Sequence, residues 1–246
     1  MNIYRADIHI HTLLSPCGDL DMSPITIVAK AKELQLDIIG ITDHNTTLHG
    51  NLIRKLAADQ GIFVLTGAEV TTKEEVHCLT FFEDTGSLNE FQDYLVLHLP
   101  FVKNNTSIFG YQVVVDEQEN ILEEIEPLLI VGINQSINQV RTKVKELNGI
   151  FIPAHINRQR YGMLGQLGFM PEGLNPDAIE IYGKITKKAF LDQYPEFKKY
   201  MLIKSSDAHC PEHIGLNHSD FRIEKLSFSE ISKALRCEEG REVIIT

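Results

Sequence analysis

An alternation of polar and apolar residues near the amino terminus constrains this chain more than any other feature. Residues 7–11 read Asp-Ile-His-Ile-His, and a period of two is typical of a β-strand. On a strand, Asp7, His9 and His11 point to the same face, with the two imidazoles about 7 Å apart. Two such imidazoles can hold one cation, because neutral imidazole is a common ligand of Zn, Fe and Mn. An exposed strand with two solvated histidines is the alternative that this stretch leaves open.

More metal-capable side chains lie at or next to the ends of short apolar runs. The runs are 38–41, 62–65, 76–82, 150–154 and 201–204, and the side chains are His44, Glu69, His77, His155, Asp207 and His209. Buried parallel strands have this composition, and their carboxyl ends carry the active sites of α/β barrels. A carboxylate such as Glu69 is rarely found there unless it is paired or bound to a cation. Packing alone does not explain so many coincidences in one chain.

Taken in order, these motifs resemble the PHP (polymerase and histidinol phosphatase) domain family. The motifs are Asp-x-His-x-His at 7–11, Thr-Asp-His-Asn at 42–45, the isolated Glu69, Pro-Ala-His at 153–155 and Ser-Asp-Ala-His at 206–209. The resemblance implies an α/β fold, a distorted seven-stranded β/α barrel, which we expect to form a single domain over residues 1–246. It also implies a di- or trinuclear site of divalent Zn, Mn or Fe ions at the carboxyl ends of the strands.

The same resemblance implies a ligand set and a reaction. One ion would be held by His9, His11, Glu69 and Asp207, a second by Glu69, His77 and His155, and a third by Asp19, His44 and His209. Asp19 as a plain turn residue is the alternative at that position. Three divalent ions and three carboxylates leave a positive site, which suits a phosphate dianion. We therefore expect a metal-activated water to hydrolyse a small phosphorylated substrate, without a serine or cysteine nucleophile.

Three further residues are predicted to act in catalysis beside Glu69 and Asp207. Asp43 is not needed as a ligand, and it would either orient a ligand histidine or cap the following turn. Arg158 and Arg160 follow His155 closely and would lie at the mouth of the barrel. Arginine suits bidentate contacts with phosphate, although plain surface charge is the alternative for both.

Periodicity and end signals predict the outline of the secondary structure. Helices are predicted from Ser23 and over about 48–60, 89–99, 136–147 and 229–236, and strands at 178–182, 201–205 and 243–245. Residues 111–122 read as a hairpin with an acidic turn. Because residues 88–133 depart from the strand–helix alternation, we expect an insertion there, over or beside the mouth and too short for a core of its own.

Composition argues against several other classes of protein. The formal net charge is −11 with no block of Lys or Arg, so only a short oligonucleotide is expected as a nucleic-acid substrate. The four cysteines form no Cys-x-x-Cys pair, which argues against a zinc finger. No apolar run approaches the ~20 residues of a membrane helix, and no signal peptide is evident, so we expect a cytoplasmic protein without a membrane partner. Substrate identity and oligomeric state stay open.

Two other functions remain compatible with the sequence. A non-catalytic metal-binding module that supports a partner protein is one, although such modules often lose ligands and none is lost here. A metal-dependent C–N hydrolase is the other, because related barrels also carry His-x-His on the first strand. The carboxylated-lysine pattern of that group is not evident, and Asp19, His44 and His209 fit the PHP pattern better.

Overall fold

The apolar runs form a curled sheet in the computed structural model, which describes residues 1–245. Its strands are β1 (Asn2–Ile10), β2 (Ile38–Ile41), β3 (Phe63–Thr71), β4 (His77–Phe82), β7 (Ile150–Pro153), β10 (Ser219–Ile223) and β11 (Glu242–Ile244). The order is β11-β10-β1-β2-β3-β4-β7, and β1, β2 and β3 run parallel. β4 is antiparallel to both of its neighbours, as β10 is to β1 and β11.

Two short strands complete a barrel. β8 (Ile179–Glu180) and β9 (Leu202–Ile203) pair in parallel. Backbone hydrogen bonds join β8 to β7, and a parallel bridge between Ile10 and Ala208 joins the loop after β9 to β1. Strands β1, β2, β3, β4, β7, β8 and β9 thus form a distorted seven-stranded barrel with β10 and β11 attached at one edge. The predicted fold class is confirmed.

Helices pack around this barrel. They are α1 (Pro24–Glu33), α2 (Gly50–Ala58), α3 (Thr85–His98), α4 (Thr106–Phe109), α5 (Ile137–Glu146), α6 (Met163–Gln166), α7 (Lys187–Gln193) and α8 (Phe228–Leu235), with 3-10 turns at Pro195–Lys199 and Pro211–His213. Ser23 accepts a hydrogen bond from Thr26 N at the start of α1, as the sequence predicts. Ser136 and Gln139 form a capping box at the start of α5. Within residues 1–245, no helix combines the length and apolarity needed to cross a membrane.

The core consists mainly of three layers of apolar side chains. One cluster contains inward residues of the barrel strands, among them Ile8, Ile38, Leu79, Ile152 and Ile203. A second lies between the sheet and helices α3, α5, α6 and α7, and a third lies under α1 and α2. Most of the buried polar residues lie at the end of the barrel where β1, β2 and β3 terminate. The strands therefore form a rigid support for that polar end.

The insertion is shorter than residues 88–133. Leu88, Phe91 and Leu95 of α3 belong to the core beneath the barrel helices, so the irregular segment begins after His98. It contains α4 and a hairpin of β5 (Val113–Val115) and β6 (Ile121–Glu124), which matches the predicted hairpin. The hairpin packs beside the polar end of the barrel, where its valines contact Leu13.

Strand β10 was not among the strands predicted from the sequence. This strand alternates between buried and more exposed residues, with Phe221 and Ile223 turned inward, and it follows an irregular loop. Five alternating residues at the edge of a sheet give a weak signal, because a loop of mixed polarity looks the same. The predicted strands at 178–182 and 201–205 are also shorter, with two residues each in β8 and β9.

Candidate metal centre

The barrel brings the predicted histidines and carboxylates to one end. β1 carries His9 and is followed directly by His11, β3 carries Glu69, and the loops after β2, β7 and β9 carry the others except His77. His77 is the first residue of β4 and pairs with Thr71. Because β4 runs antiparallel to β3, its beginning lies where β3 ends. The position of His77 therefore follows from strand direction.

His9, His11, Glu69 and Asp207 form the first of three groups whose ligand atoms lie close enough to share a cation. The Nε2 atoms of His9 and His11 are 3.2 Å apart. They lie 3.2 and 3.3 Å from the Glu69 oxygens and 3.3 and 3.5 Å from Asp207 Oδ1. Metal–ligand bonds of about 2.0–2.2 Å place two ligands of a tetrahedral ion roughly 3.3–3.6 Å apart. The spacing fits a divalent transition metal.

The outer nitrogens of the two histidines orient their rings. His9 Nδ1 lies 3.1 Å from Glu180 Oε2 and donates to it. His11 Nδ1 lies 2.9 Å from Ser15 Oγ, which accepts this bond because its own proton goes to Asp43 Oδ1 at 2.7 Å. Both Nε2 atoms therefore point at each other and at carboxylates, where a cation or protons must supply positive charge.

Glu69 is the centre of the cluster and belongs to a second group with His44 and His77. Its carboxylate is 1% exposed and accepts from His77 Nδ1 at 2.9 Å, and His155 Nε2 lies 3.1 Å from the same oxygen. His44 Nδ1 lies 3.2 Å from the other oxygen without hydrogen-bond geometry. His44 Nδ1, His77 Nε2 and His155 Nδ1 are buried without partners among residues 1–245. Buried nitrogens rarely stay unpaired, so these atoms favour bound cations.

The third group contains His11, His44 and His209. The rings of His11 and His209 stack with their centroids 4.1 Å apart, and the His209 side chain is 27% exposed at the mouth. The resemblance placed Asp19 with His44 and His209, but in the structure His11 takes that place. The exposed Asp19 carboxylate accepts from Asp21 N, and Asp19 N donates to the His209 carbonyl. Asp19 thus contacts the loop that carries His209 without joining the cluster.

Charge within the cluster shifts the pKa of nearly every member. Burial raises the pKa of Glu69, but the surrounding imidazoles, His77 foremost, lower it well below its usual range. Burial lowers the pKa of His11, but the hydrogen bonds that His11 donates to Asp207 and Glu69 raise it to about 9. Burial lowers the pKa of His44 and brings that of His209 to about 4. The carboxylates hold a proton on His11, and a divalent cation can take the place of that proton between the same imidazole and carboxylate donors, which transition metals bind.

Asp43 lies behind His11 and outside the cluster. Its carboxylate accepts from Thr12 N at 2.7 Å, Thr12 Oγ1 at 2.8 Å and Ser15 Oγ at 2.7 Å. Of the two roles predicted for it, the contacts favour orientation of a ligand, which it exerts on His11 through Ser15. Thr12 Oγ1 also accepts from His49 Nδ1 at 2.8 Å, and His49 Nε2 accepts from Val115 N of the hairpin. A buried chain of hydrogen bonds therefore links the insertion to His11.

The two arginines occupy different places. Arg158 Nη1 donates to Asp207 Oδ2 at 2.7 Å, and its guanidinium lies over the Tyr182 ring at 5.0 Å. Arg160 is exposed, and no hydrogen bond or ion pair of its side chain forms within residues 1–245. The structure therefore brings Arg158, but not Arg160, to the cluster.

Several residues of the site were missed in the sequence. Glu180 contacts His9 and accepts from His155 N at 2.9 Å, and it lies within the apolar run 178–182. A carboxylate next to a short apolar run was the pattern that identified Glu69, so the same pattern could have identified Glu180. Tyr161 stacks on His77 with the ring centroids 4.4 Å apart, and no pattern marks it. Positive φ values at His155 (30°) and Asp207 (55°) place strained backbone at the same site.

The alternation predicted Asp7 on the same face as His9 and His11, but the register of β1 shifts between Asp7 and Ile10. Asp7 pairs with Ile39, which packs under α1 and α2, and its carboxylate contacts the loop after β9 instead of the cluster. Its carboxylate accepts from Ser206 N at 2.9 Å and Gly215 N at 2.8 Å. Burial raises the pKa of Asp7 to about 6. Asp7 therefore ties the segment that carries Asp207 and His209 to β1.

Comparison with known proteins agrees with this geometry. Residues 7–202 match the PHP domain family, so the chain belongs to that family, as the motifs indicated. The uncharacterised protein YqxK of Bacillus subtilis is 23% identical over 228 residues, which are 88% of this chain and 48% of that protein. The chain spans about half the length of the curated relatives it matches.

Solved structures share the fold. The lesion-specific endonuclease PfuEndoQ from Pyrococcus furiosus superposes with a TM-score of 0.74 at 18% identity, over 98% of this chain and 58% of that chain. A two-domain protein from Bacteroides vulgatus, which contains a predicted PHP-like metal-dependent phosphoesterase, gives a TM-score of 0.60 at 17% identity, over 99% and 65%. At these identities the likeness shows the fold alone.

Proposed function

We propose that the protein is a metal-dependent phosphoesterase that hydrolyses a small phosphorylated substrate. The observation that carries the proposal is the surrounding of Glu69, a buried carboxylate within 3.3 Å of five imidazoles at the open end of the barrel. A buried charge is costly unless it is paired or bound to a metal. Membership of the PHP family, and the phosphoesterase named in the Bacteroides vulgatus relative, support the same class of reaction.

The proposed ligands follow the three groups of side chains. His9, His11, Glu69 and Asp207 would hold the first ion, Glu69, His77 and His155 with His44 nearby would hold the second, and His44 and His209 with His11 nearby would hold the third. Asp19 is left out, because its carboxylate bonds within its own turn. Zn, Mn and Fe all suit this mixture of imidazole and carboxylate. When bound, such ions supply Lewis acidity toward a phosphoryl group and make water a stronger nucleophile.

The protein's own residues position the substrate and the ligands. Glu180 and Ser15 fix the His9 and His11 rings with Nε2 toward the centre. Arg158 lies on the open side against Asp207. Within residues 1–245 only Nη1 of the Arg158 guanidinium is hydrogen-bonded, so its other N–H groups are available for phosphoryl oxygens, which a planar guanidinium binds in pairs. Substrate binding and charge stabilisation therefore fall to Arg158.

A nuclease is the second candidate. The likeness to PfuEndoQ, which extends over 98% of this chain, favours it. Against it stand the net charge of −11 and the acidic turn of the hairpin, where Asp116, Glu117 and Glu119 face solvent in part or in full. Duplex DNA is bound mainly through basic contacts to phosphate. A short oligonucleotide end is the nucleic-acid substrate that this surface suits best.

A phosphatase screen tests the proposal. Chelated protein is supplied with Mn, Zn or Fe and assayed against phosphorylated metabolites, short oligonucleotides and lesion-containing duplexes. We expect metal-dependent phosphate release from a small substrate, and its loss in Glu69→Gln. Glu172→Gln is the matched control, because Glu172 is exposed and outside the cluster.

The remaining outcomes separate the alternatives. Cleavage of the duplex alone would favour the nuclease. Metal binding without turnover of any phosphoester would favour a non-catalytic module that supports a partner. Release of ammonia or an amine from amide substrates, with no phosphate released, would favour a C–N hydrolase.

A further inference from the structure

A polar cavity lies at the end of the barrel opposite the candidate metal centre. Its volume is about 740 Å³, and it is lined by residues 148–149, 175–177 and 199–201, which precede β7, β8 and β9, and by one side of α8. The other ends of these strands lead to His155, Glu180 and Asp207. The cavity is therefore separated from the metal centre by the length of the barrel.

Basic side chains outnumber acidic ones around this cavity. The cations are Arg141, Lys145, Lys199, Lys233 and Arg236, and the carboxylates are Glu83, Asp177 and Glu238. Arg236 pairs with Asp177, and Lys233 pairs with Glu239 outside the lining. On a chain with 34 acidic and 23 basic residues, a local excess of cations is unusual. It indicates an anion as the ligand.

Three of these cations have no carboxylate partner within residues 1–245. Arg141 Nε donates to the Asn175 carbonyl at 3.2 Å, and the guanidinium lies over the Phe151 ring at 5.8 Å. These contacts hold the guanidinium in place, while its Nη atoms form no hydrogen bond in the described part of the chain. Lys199 Nζ lies over the Tyr200 ring, 5.0 Å from its centroid. Lys145 forms no ion pair within residues 1–245. A fixed guanidinium and two ammonium groups without carboxylate partners, all lining one cavity, suit a phosphate ligand.

Apolar surface adjoins the cations. Pro176, Tyr200 and Met201 line the cavity, and a neighbouring cavity of about 420 Å³ shares Glu83 and Phe228 with it. Small-molecule sites typically occupy ~300–1,000 Å³ and combine apolar walls with a few polar anchors. We propose that the cavity binds a small molecule with two or more phosphate groups, either a nucleotide or inorganic pyrophosphate. This ligand is distinct from a substrate at the metal centre.

Calorimetric titration of the full-length protein with a non-hydrolysable ATP analogue, and separately with pyrophosphate, tests the proposal. We expect saturable binding that Lys145→Glu weakens by about tenfold or more, equal to ~1.4 kcal/mol. Lys32→Glu is the matched control, because this exposed lysine of α1 lies outside the cavity and its change of charge is the same. Lys199→Glu provides a second variant. Stronger binding of the analogue identifies a nucleotide, and equal binding identifies pyrophosphate.

Two results would overturn the proposal. One is the absence of saturable binding of either probe at millimolar concentration. The other is binding that Glu69→Gln abolishes and Lys145→Glu leaves intact, since this would locate the anion at the metal centre. Neither result bears on phosphoester hydrolysis, so failure here and failure of the proposed function are distinguishable.

Discussion

The two ends of the barrel hold their charged side chains in opposite ways. At the mouth, Glu69 is 1% exposed and is surrounded by imidazoles, and its orienting neighbours are buried with it. At the end of the barrel opposite the mouth, which we call the closed end, charged groups pair at the surface. Lys233, for example, pairs with Glu239, which is 59% exposed. Removing charge from water is costly and surface pairing is nearly neutral. The mouth therefore holds its buried charge at a cost in stability, which indicates that it binds an ion or a ligand. At the closed end, by contrast, several cations of the cavity lining have no carboxylate partner within residues 1–245.

The largest effect is expected from Glu69→Gln. This change removes a charge that faces five imidazoles, so it should disturb every proposed cation that Glu69 contacts. We expect kcat/KM to fall by more than about 100-fold, beyond the ~10- to 100-fold seen when an orienting residue is lost. Metal content and kinetics should be measured together. Wild-type turnover would place the chemistry elsewhere in the molecule.

Glu180→Gln should have the next largest effect. The amide can occupy the same space, but it no longer stabilises the proton on His9 Nδ1 as a carboxylate does. We expect a loss of about 10- to 100-fold in metal affinity or activity, as for other residues that orient ligands. Asp43→Asn should cost less, because Asp43 reaches His11 only through Ser15. An equal loss in both variants would contradict this ranking.

Arg158→Ala tests the open side of the centre. A hydrogen bond to a charged group contributes ~1.5–3 kcal/mol, so kcat/KM should fall roughly 10- to 100-fold with metal content unchanged. Arg158→Lys should recover only part of the loss, because an ammonium lacks the bidentate geometry. Arg160→Ala is the control and should keep wild-type kinetics, since Arg160 is exposed. If Arg158→Ala also keeps them, the metals alone would have to hold the phosphate.

The smallest effect is expected at the closed end. Lys233→Ala removes a pairing with Glu239 that is largely in water. We expect the free energy of unfolding to change by less than about 1 kcal/mol, and phosphoesterase activity to stay unchanged. Urea titration followed by circular dichroism measures the first quantity. A drop in activity would show that the two ends are coupled.

The residues of the cluster could be predicted from the sequence, but most of the residues that orient them could not. His9, His11, His44, Glu69, His77, His155, Asp207 and His209 all lie at the mouth, because strand ends are recognisable from apolar runs. Ser15 and His49 act through contacts between loops that only the folded chain brings together. Such contacts leave no periodic signal. The exchange of His11 for Asp19 in the third group likewise depends on ring orientation, which spacing does not encode.

Elemental analysis of the purified protein tests the central claim most directly. If Glu69 lies between cations, gently purified protein should carry at least two transition-metal ions per chain, and Glu69→Gln should carry fewer. The Glu172→Gln control should match the wild type. Less than one ion per chain, with no uptake after reconstitution with Zn, Mn or Fe, would contradict a metal centre at the mouth of this barrel.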